Sequence, residues 1–245
     1  MPTKEWLAKF EEVREMTLSP VDLNEYFEKP KITGKSLAVM EIGPCSLPTG
    51  KVLVRDPLVY LGLPEEEPYL RTAPAGTYPT QVCVVKPDRD GDCARYAAVR
   101  LRFSDTRPVK FYEALTGCEH LEELDGDNYF GFSVDAGLAC ICDRELHRAF
   151  CGFLDRWETE NPGKNLYNDY FRGLFAENYH AHPEYQREGG DWLNWQIPGT
   201  EYHLPIFQSG FGDGVYPVYW GFDETGAICQ LVVQFIDIRL AYGEE

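Results

Sequence analysis

Positive charge is scarce in this sequence. Its 23 lysines and arginines face 40 aspartates and glutamates, a formal charge of −17 over 245 residues. A phosphate-backbone binder needs clustered cations to displace counterions, so no nucleic-acid partner is expected. Docking to an anionic membrane is disfavoured for the same reason. Long apolar runs are missing too: none approaches the roughly 20 residues that cross a bilayer. The opening Met1-Pro2-Thr3-Lys4-Glu5-Trp6 has no basic stretch ahead of an apolar one, so no secretory leader is expected. The eight cysteines, at 45, 83, 93, 118, 140, 142, 151 and 229, do not fall into the paired spacings of a structural zinc site. With no leader and a chain large enough to need no staples, they read as free thiols in a reducing compartment, the cytoplasm. The P-loop, the dinucleotide-binding glycine fingerprint and the Gly-x-Ser-x-Gly elbow are all missing.

What the chain does hold is apolar and aromatic mass. Hydrophobic residues make up 44% and aromatics 14%, including 15 tyrosines and 5 tryptophans. That suffices for a sizeable core. The clearest local pattern is a hairpin over residues 210–237. Residues 215–222 are aromatic and β-branched, Asp223-Glu224-Thr225-Gly226 supplies a turn, and residues 228–238 return as an apolar strand. A similar arrangement stands earlier. Gly76-Thr77-Tyr78-Pro79 opens a strand to Val85, a polar turn spans 86–92, and a second strand covers 94–103. Both hairpins begin Gly-x-Tyr-Pro, and proline suits a strand start or an edge because it cannot donate to a ladder. They are expected to be equivalent ribbons of one sheet; a chance likeness of four residues is the plainer alternative.

Around these ribbons, amphipathic spacing and a Thr3 cap predict a helix over 3–16, and Ser19-Pro20 predicts another to 28. Strands are expected at 37–42 and 52–54, split by a Gly/Pro-rich segment, with a surface loop over 63–75. A helix is read over 108–124 and short strands at 130–135 and 138–142. Asp143 then caps a helix to 160 that Asn161-Pro162-Gly163 stops. An aromatic helix over 166–179, a polar loop over 180–190 and strands at 191–197 and 202–207 follow. Helices do not alternate with strands, so the expected class is α+β: an antiparallel or mixed sheet or sandwich with two similar hairpins and peripheral helices. Residues 1–34 are read as a helical segment packed on a single domain, 35–245.

Candidate chemistry is sparse. Asp135, Asp143 and Asp213 each lie in a turn at a strand end, where together they would suit acid–base work or a hard cation; turn and cap chemistry is the plainer account. The loop Gly210-Phe211-Gly212-Asp213-Gly214 leads into a strand, so it reads as a turn and not as a phosphate cradle. Cys140 and Cys142 share a strand face near His147, yet buried thiols are expected there and not zinc. His180, His182 and His203 read as surface histidines. Tyr170, Trp192 and Trp195, with Tyr216 of the late hairpin, are candidates to line a ligand groove or an interface, with core packing as the alternative. No metal and no cofactor is expected.

Four ordered motifs carry a resemblance: Arg55-Asp56-Pro57; Ala75-Gly76-x-Tyr78-Pro79; Val134-Asp135-Ala136-Gly137 ahead of Cys142-Asp143; and Gly212-Asp213-Gly214-x-Tyr216-Pro217-Val218-Tyr219-Trp220-Gly221. Over residues 50–238 the chain resembles the uncharacterised bacterial domain-of-unknown-function family 4241. The resemblance implies a soluble bacterial protein and brings no activity; it draws notice to Asp135, Gly137, Asp213 and Tyr216. The expected function is a non-catalytic binding or interaction protein, of the immunity or accessory kind. Its partner would be a basic protein, met by the acidic surplus, or a small molecule, although solubility alone also accounts for the charge. The alternative is a small-molecule hydrolase using clustered turn carboxylates.

Overall fold

The computed structural model describes residues 2–88, 93–126 and 128–243. Along the chain run α1 (Lys4–Val13), α2 (Glu25–Glu28), β1 (Lys31–Ile32), β2 (Lys35–Leu47), β3 (Val52–Arg55), β4 (Gly76–Val85), β5 (Arg95–Arg102) and β6 (Lys110–Glu113). Next come β7 (Phe132–Val134), β8 (Leu138–Asp143), α3 (Arg144–Glu160), α4 (Arg172–Ala181), β9 (Trp192–Gln196) and β10 (His203–Gln208). The chain closes with β11 (Gly214–Tyr216), β12 (Val218–Phe222), β13 (Ile228–Gln234) and α5 (Ile238–Tyr242). A wide π-type turn, Tyr167–Phe171, leads into α4. The class is α+β, with antiparallel pairing throughout the described strands.

Seven strands form the main sheet in the order β1-β2-β4-β5-β13-β12-β6. The two hairpins, β4–β5 and β12–β13, sit side by side in it, joined through their return strands, Leu101 opposite Leu231 and Val99 opposite Val233. They enter the sheet differently. Tyr78 and Pro79 lie inside β4, paired with Cys45 and Pro44 of β2. Pro217 instead separates β11, which pairs with β7, from β12. The early turn lies partly outside the described residues, which omit 89–92.

A four-stranded sheet, β3-β8-β10-β9, packs beside the first and divides the interior in two. Alternation along β8 makes the division visible: Ala139 and Ile141 face the larger core, Cys140 and Cys142 the smaller one under α3 and α4. The larger core centres on Trp220, Tyr96 and Phe207, each almost wholly buried. Burying a large apolar side chain of this kind stabilises by about 1.5–3 kcal/mol. The N-terminal segment joins this interior, since Leu23 and Tyr26 lie in the larger core and the Tyr26 hydroxyl donates to the Ile236 carbonyl at 3.0 Å.

Several local expectations are corrected. The helix over 108–124 is absent. Residues 110–113 form β6 on the sheet edge beside β12, and only Leu121–Glu123 turn as a short 3-10 helix. Gly117 sits at φ +90°, and the Glu119 carboxylate takes the N–H groups of Thr116, Gly117 and Cys118, so no helical ladder can run through. The helix over 19–28 shrinks to Glu25–Glu28 because the Ser19 N–H donates to Phe111 on the sheet edge and Asp22 captures the Asn24 N–H. The Gly43-Pro44 break is instead a bulge inside the long β2, with Gly43 at φ +99°. The loop over 180–190 starts later, α4 running to Ala181.

Candidate functional site

Three of the four motifs meet at one turn, residues 135–137, between β7 and β8. Asp56, fully buried, accepts from the N–H of Asp135 at 3.0 Å and of Ala136 at 2.7 Å through one oxygen. Its other oxygen accepts from the Leu58 N–H at 2.8 Å. Burial raises the Asp56 carboxyl pKa, and the backbone N–H donors pull it back down. Asp213 reaches over from the glycine loop and accepts the Gly137 N–H at 3.0 Å. Ser209 donates from its N–H to the Gly137 carbonyl at 3.1 Å and from its hydroxyl to the Gly212 carbonyl at 2.8 Å. Gly137, Gly210 and Gly212 all hold positive φ, which lets the two loops approach without side chains between them.

Beside this turn opens a cleft of about 480 Å³. Its apolar wall is Leu58, Tyr167, Phe175 and Phe211, and Tyr167 comes from the π-type turn. Its polar wall is Arg95, Arg187, Asp191, Gln208 and Ser209. Arg95 donates to the Gly210 carbonyl at 3.2 Å and lies 5.7 Å from the Phe211 ring centre. Arg187 clamps the buried Asp191: its N–H donates to one oxygen at 2.5 Å and its Nε to the other at 2.7 Å. That bonding raises the Arg187 pKa. Gln208 is only 3% exposed, and its side-chain nitrogen has no partner among the described residues.

The family model for a protein of unknown function, DUF4241, matches residues 45–233. The chain belongs to the DUF4241 family. Comparison with curated proteins and with solved structures gives no match. The DUF4241 match takes in both loops that floor the cleft and every residue lining it.

The sequence candidates scatter within this DUF4241 chain. Asp135 and Asp213 flank the convergent turn, both exposed; the Asp135 carboxylate is bound by the Tyr60 hydroxyl. Asp143 stands apart, fully buried at the start of α3, where it accepts the Glu145 N–H at 2.9 Å and both the N–H and hydroxyl of Thr49. Tyr216 donates to the Gly212 carbonyl at 2.7 Å, so it braces the glycine loop from below. Trp195 lies among Phe150, Phe153, Tyr170 and Phe171 in the smaller core, and its indole N–H donates to the Tyr170 hydroxyl at 3.3 Å. Trp192 lines a different groove. Cys140 and Cys142 are buried, and His147 lies near Cys151 at 3.6 Å instead. Among the described residues no group of three or more His, Cys, Asp or Glu is placed to hold a metal, and no helix is long and apolar enough to cross a membrane.

Arg95, Arg187 and Gln208 were not legible as site residues. The one available signal was position, Gln208-Ser209 directly preceding the glycine loop. Asp56 did carry a signal, since Asp-Pro commonly starts a turn whose carboxylate binds backbone N–H groups.

Proposed function

We propose that this chain is a non-catalytic binding protein whose cleft beside residues 135–137 receives a small organic anion. One observation carries the reading: the Gln208 amide nitrogen is buried in the cleft wall with no acceptor among the described residues. Leaving such a donor unpaired costs about 1–3 kcal/mol, a penalty removed when the amide turns out of the wall to meet a ligand oxygen. The sign of charge agrees. Arg95 and Arg187 outweigh Asp191 in the cleft lining, within a chain of charge −17. Tyr167 and Phe211 suit the flat apolar body of a carboxylate, and the volume falls in the range of small-molecule sites. A hydrolase would need a free acid and base within reach of one substrate. Here Asp213 and Asp56 support backbone N–H groups, Asp135 is held by Tyr60, and Asp143 caps a helix.

Thermal melting with benzoate, inorganic phosphate and AMP tests this, because a ligand that binds only the folded form raises the melting temperature. Benzoate is expected to raise it, and Gln208→Leu to abolish that rise while leaving the unliganded protein as stable as before or more so. Failure of all three anions to move the melt would overturn the reading. So would ester hydrolysis that disappears in Asp213→Asn.

A further inference from the structure

A second groove, of about 700 Å³, lies on another face between β2, the end of α4 and β9. We propose that it docks an extended, basic segment of a partner protein, added as a further strand on the edge of β2. This is independent of the cleft and of the ligand assigned to it.

The edge is open. The outer neighbour of β2 is the two-residue β1, which pairs only with Lys35 and Ser36, and Leu37 is held by the Pro30 carbonyl. From Ala38 to Gly43 the outer side of β2 has no strand partner among the described residues. Unpaired edges template the addition of an incoming strand through main-chain hydrogen bonds. The run Ala38-Val39-Met40 carries neither charge nor proline, with Val39 43% exposed; Glu41 and the Gly43-Pro44 bulge bound it on the far side. Met40, Glu41, Ile42 and Gly43 line the groove itself, so a strand added there would lie in it.

The groove also states the charge it wants. Its lining holds two carboxylates, Glu41 and Glu184, and among the described residues no lysine or arginine. Both glutamates are exposed, and neither joins an ion pair among the described residues. The floor is Trp192, 8% exposed, with the His182 ring 5.5 Å away and tilted only 30° from it. Trp192 and His182 thus wall the groove as a packed ring pair, and the carboxylates beside them suit the head of a lysine or arginine. The Trp192 indole N–H is buried with no acceptor among the described residues, so its resonance reports on the wall of the groove.

The test uses the full chain and a fluorescein-labelled hexapeptide alternating lysine and valine. Two control peptides accompany it: one with glutamate replacing lysine, and one N-methylated on alternate residues so that it cannot donate to a ladder. Fluorescence anisotropy is expected to show binding of the basic peptide alone. Glu41→Lys with Glu184→Lys should weaken that binding by about tenfold or more. Glu224→Lys with Glu5→Lys, exposed positions elsewhere, should change it little although the net charge shifts equally. The Trp192 indole N–H resonance should move on titration. Equal binding of the N-methylated peptide, equal loss in both double variants, or a stationary Trp192 signal would each overturn the proposal. Sedimentation showing a dimer that Glu41→Lys dissolves would overturn it as well, since the occupant would then be a second copy of this chain.

Discussion

Glu113 illustrates how one residue can bind a loop and titrate at the same time. It is 5% exposed on β6, and one oxygen accepts the N–H groups of Phe130 at 2.9 Å and Gly131 at 2.7 Å. Burial pushes its pKa up to about 7, against the pull of those two donors, and Glu119 adds a like charge. The folded form therefore holds a proton that the unfolded chain releases near pH 4.5. Stability from this group is fully present below that value and is lost as pH rises through about 7. Glu113→Gln keeps an oxygen for both N–H groups and carries no charge. Urea titrations should find the variant more stable than the parent at pH 8, by about 3 kcal/mol, with most of the gap closed by pH 5. A gap that does not change with pH would rule out Glu113 as the titrating group.

Among elements, α3 shows sequence and structure in agreement. Asp143 caps it as its position predicts, and Glu145 in the first turn favours the positive helix end. The structure adds a second duty, since the same carboxylate holds Thr49 of the loop between β2 and β3. Asp143→Ala is thus expected to cost about 2 kcal/mol or more in chemical denaturation, above a simple cap loss. Asp143→Asn, which keeps an accepting oxygen, should recover part of it; equal losses in both would place the cost elsewhere. The lost helix over 108–124 teaches the converse. Phe111, Leu115 and Leu121 have passable helical spacing, but β12 needed an edge partner and Glu119 took the turn's N–H groups. Local pattern cannot anticipate a claim made by a strand about a hundred residues away.

For the whole molecule, the paired hairpins set where stability resides. β5 and β13 are central in the seven-stranded sheet, and Val82, Ala98, Val99, Leu231 and Val233 are inaccessible to solvent. Local opening is least probable where backbone hydrogen bonds are buried on both sides. Hydrogen exchange should find the slowest amides in β4, β5, β12 and β13, and faster ones along β2 from Ala38 to Gly43. Slow exchange at that outer edge in the free protein would mean it is already covered.

Periodicity and turn chemistry, which act over a few residues, were enough to mark both hairpins, the Asp143 helix and the alternating β8; the family was legible through the resemblance of four ordered motifs. They also marked the α+β class, because strand runs and helices do not alternate. What they could not reach was adjacency. That Asp56, Asp135 and Asp213 serve one turn, that Asp143 serves another place, and that Arg95, Arg187 and Gln208 share a cleft depends on loops from distant parts of the chain. The edge of β2 is likewise decided by which strands lie beside it and not by its own residues. Hydrogen-bond partners across a fold are chosen by the packing of sheets, and that packing is a property of the folded chain alone.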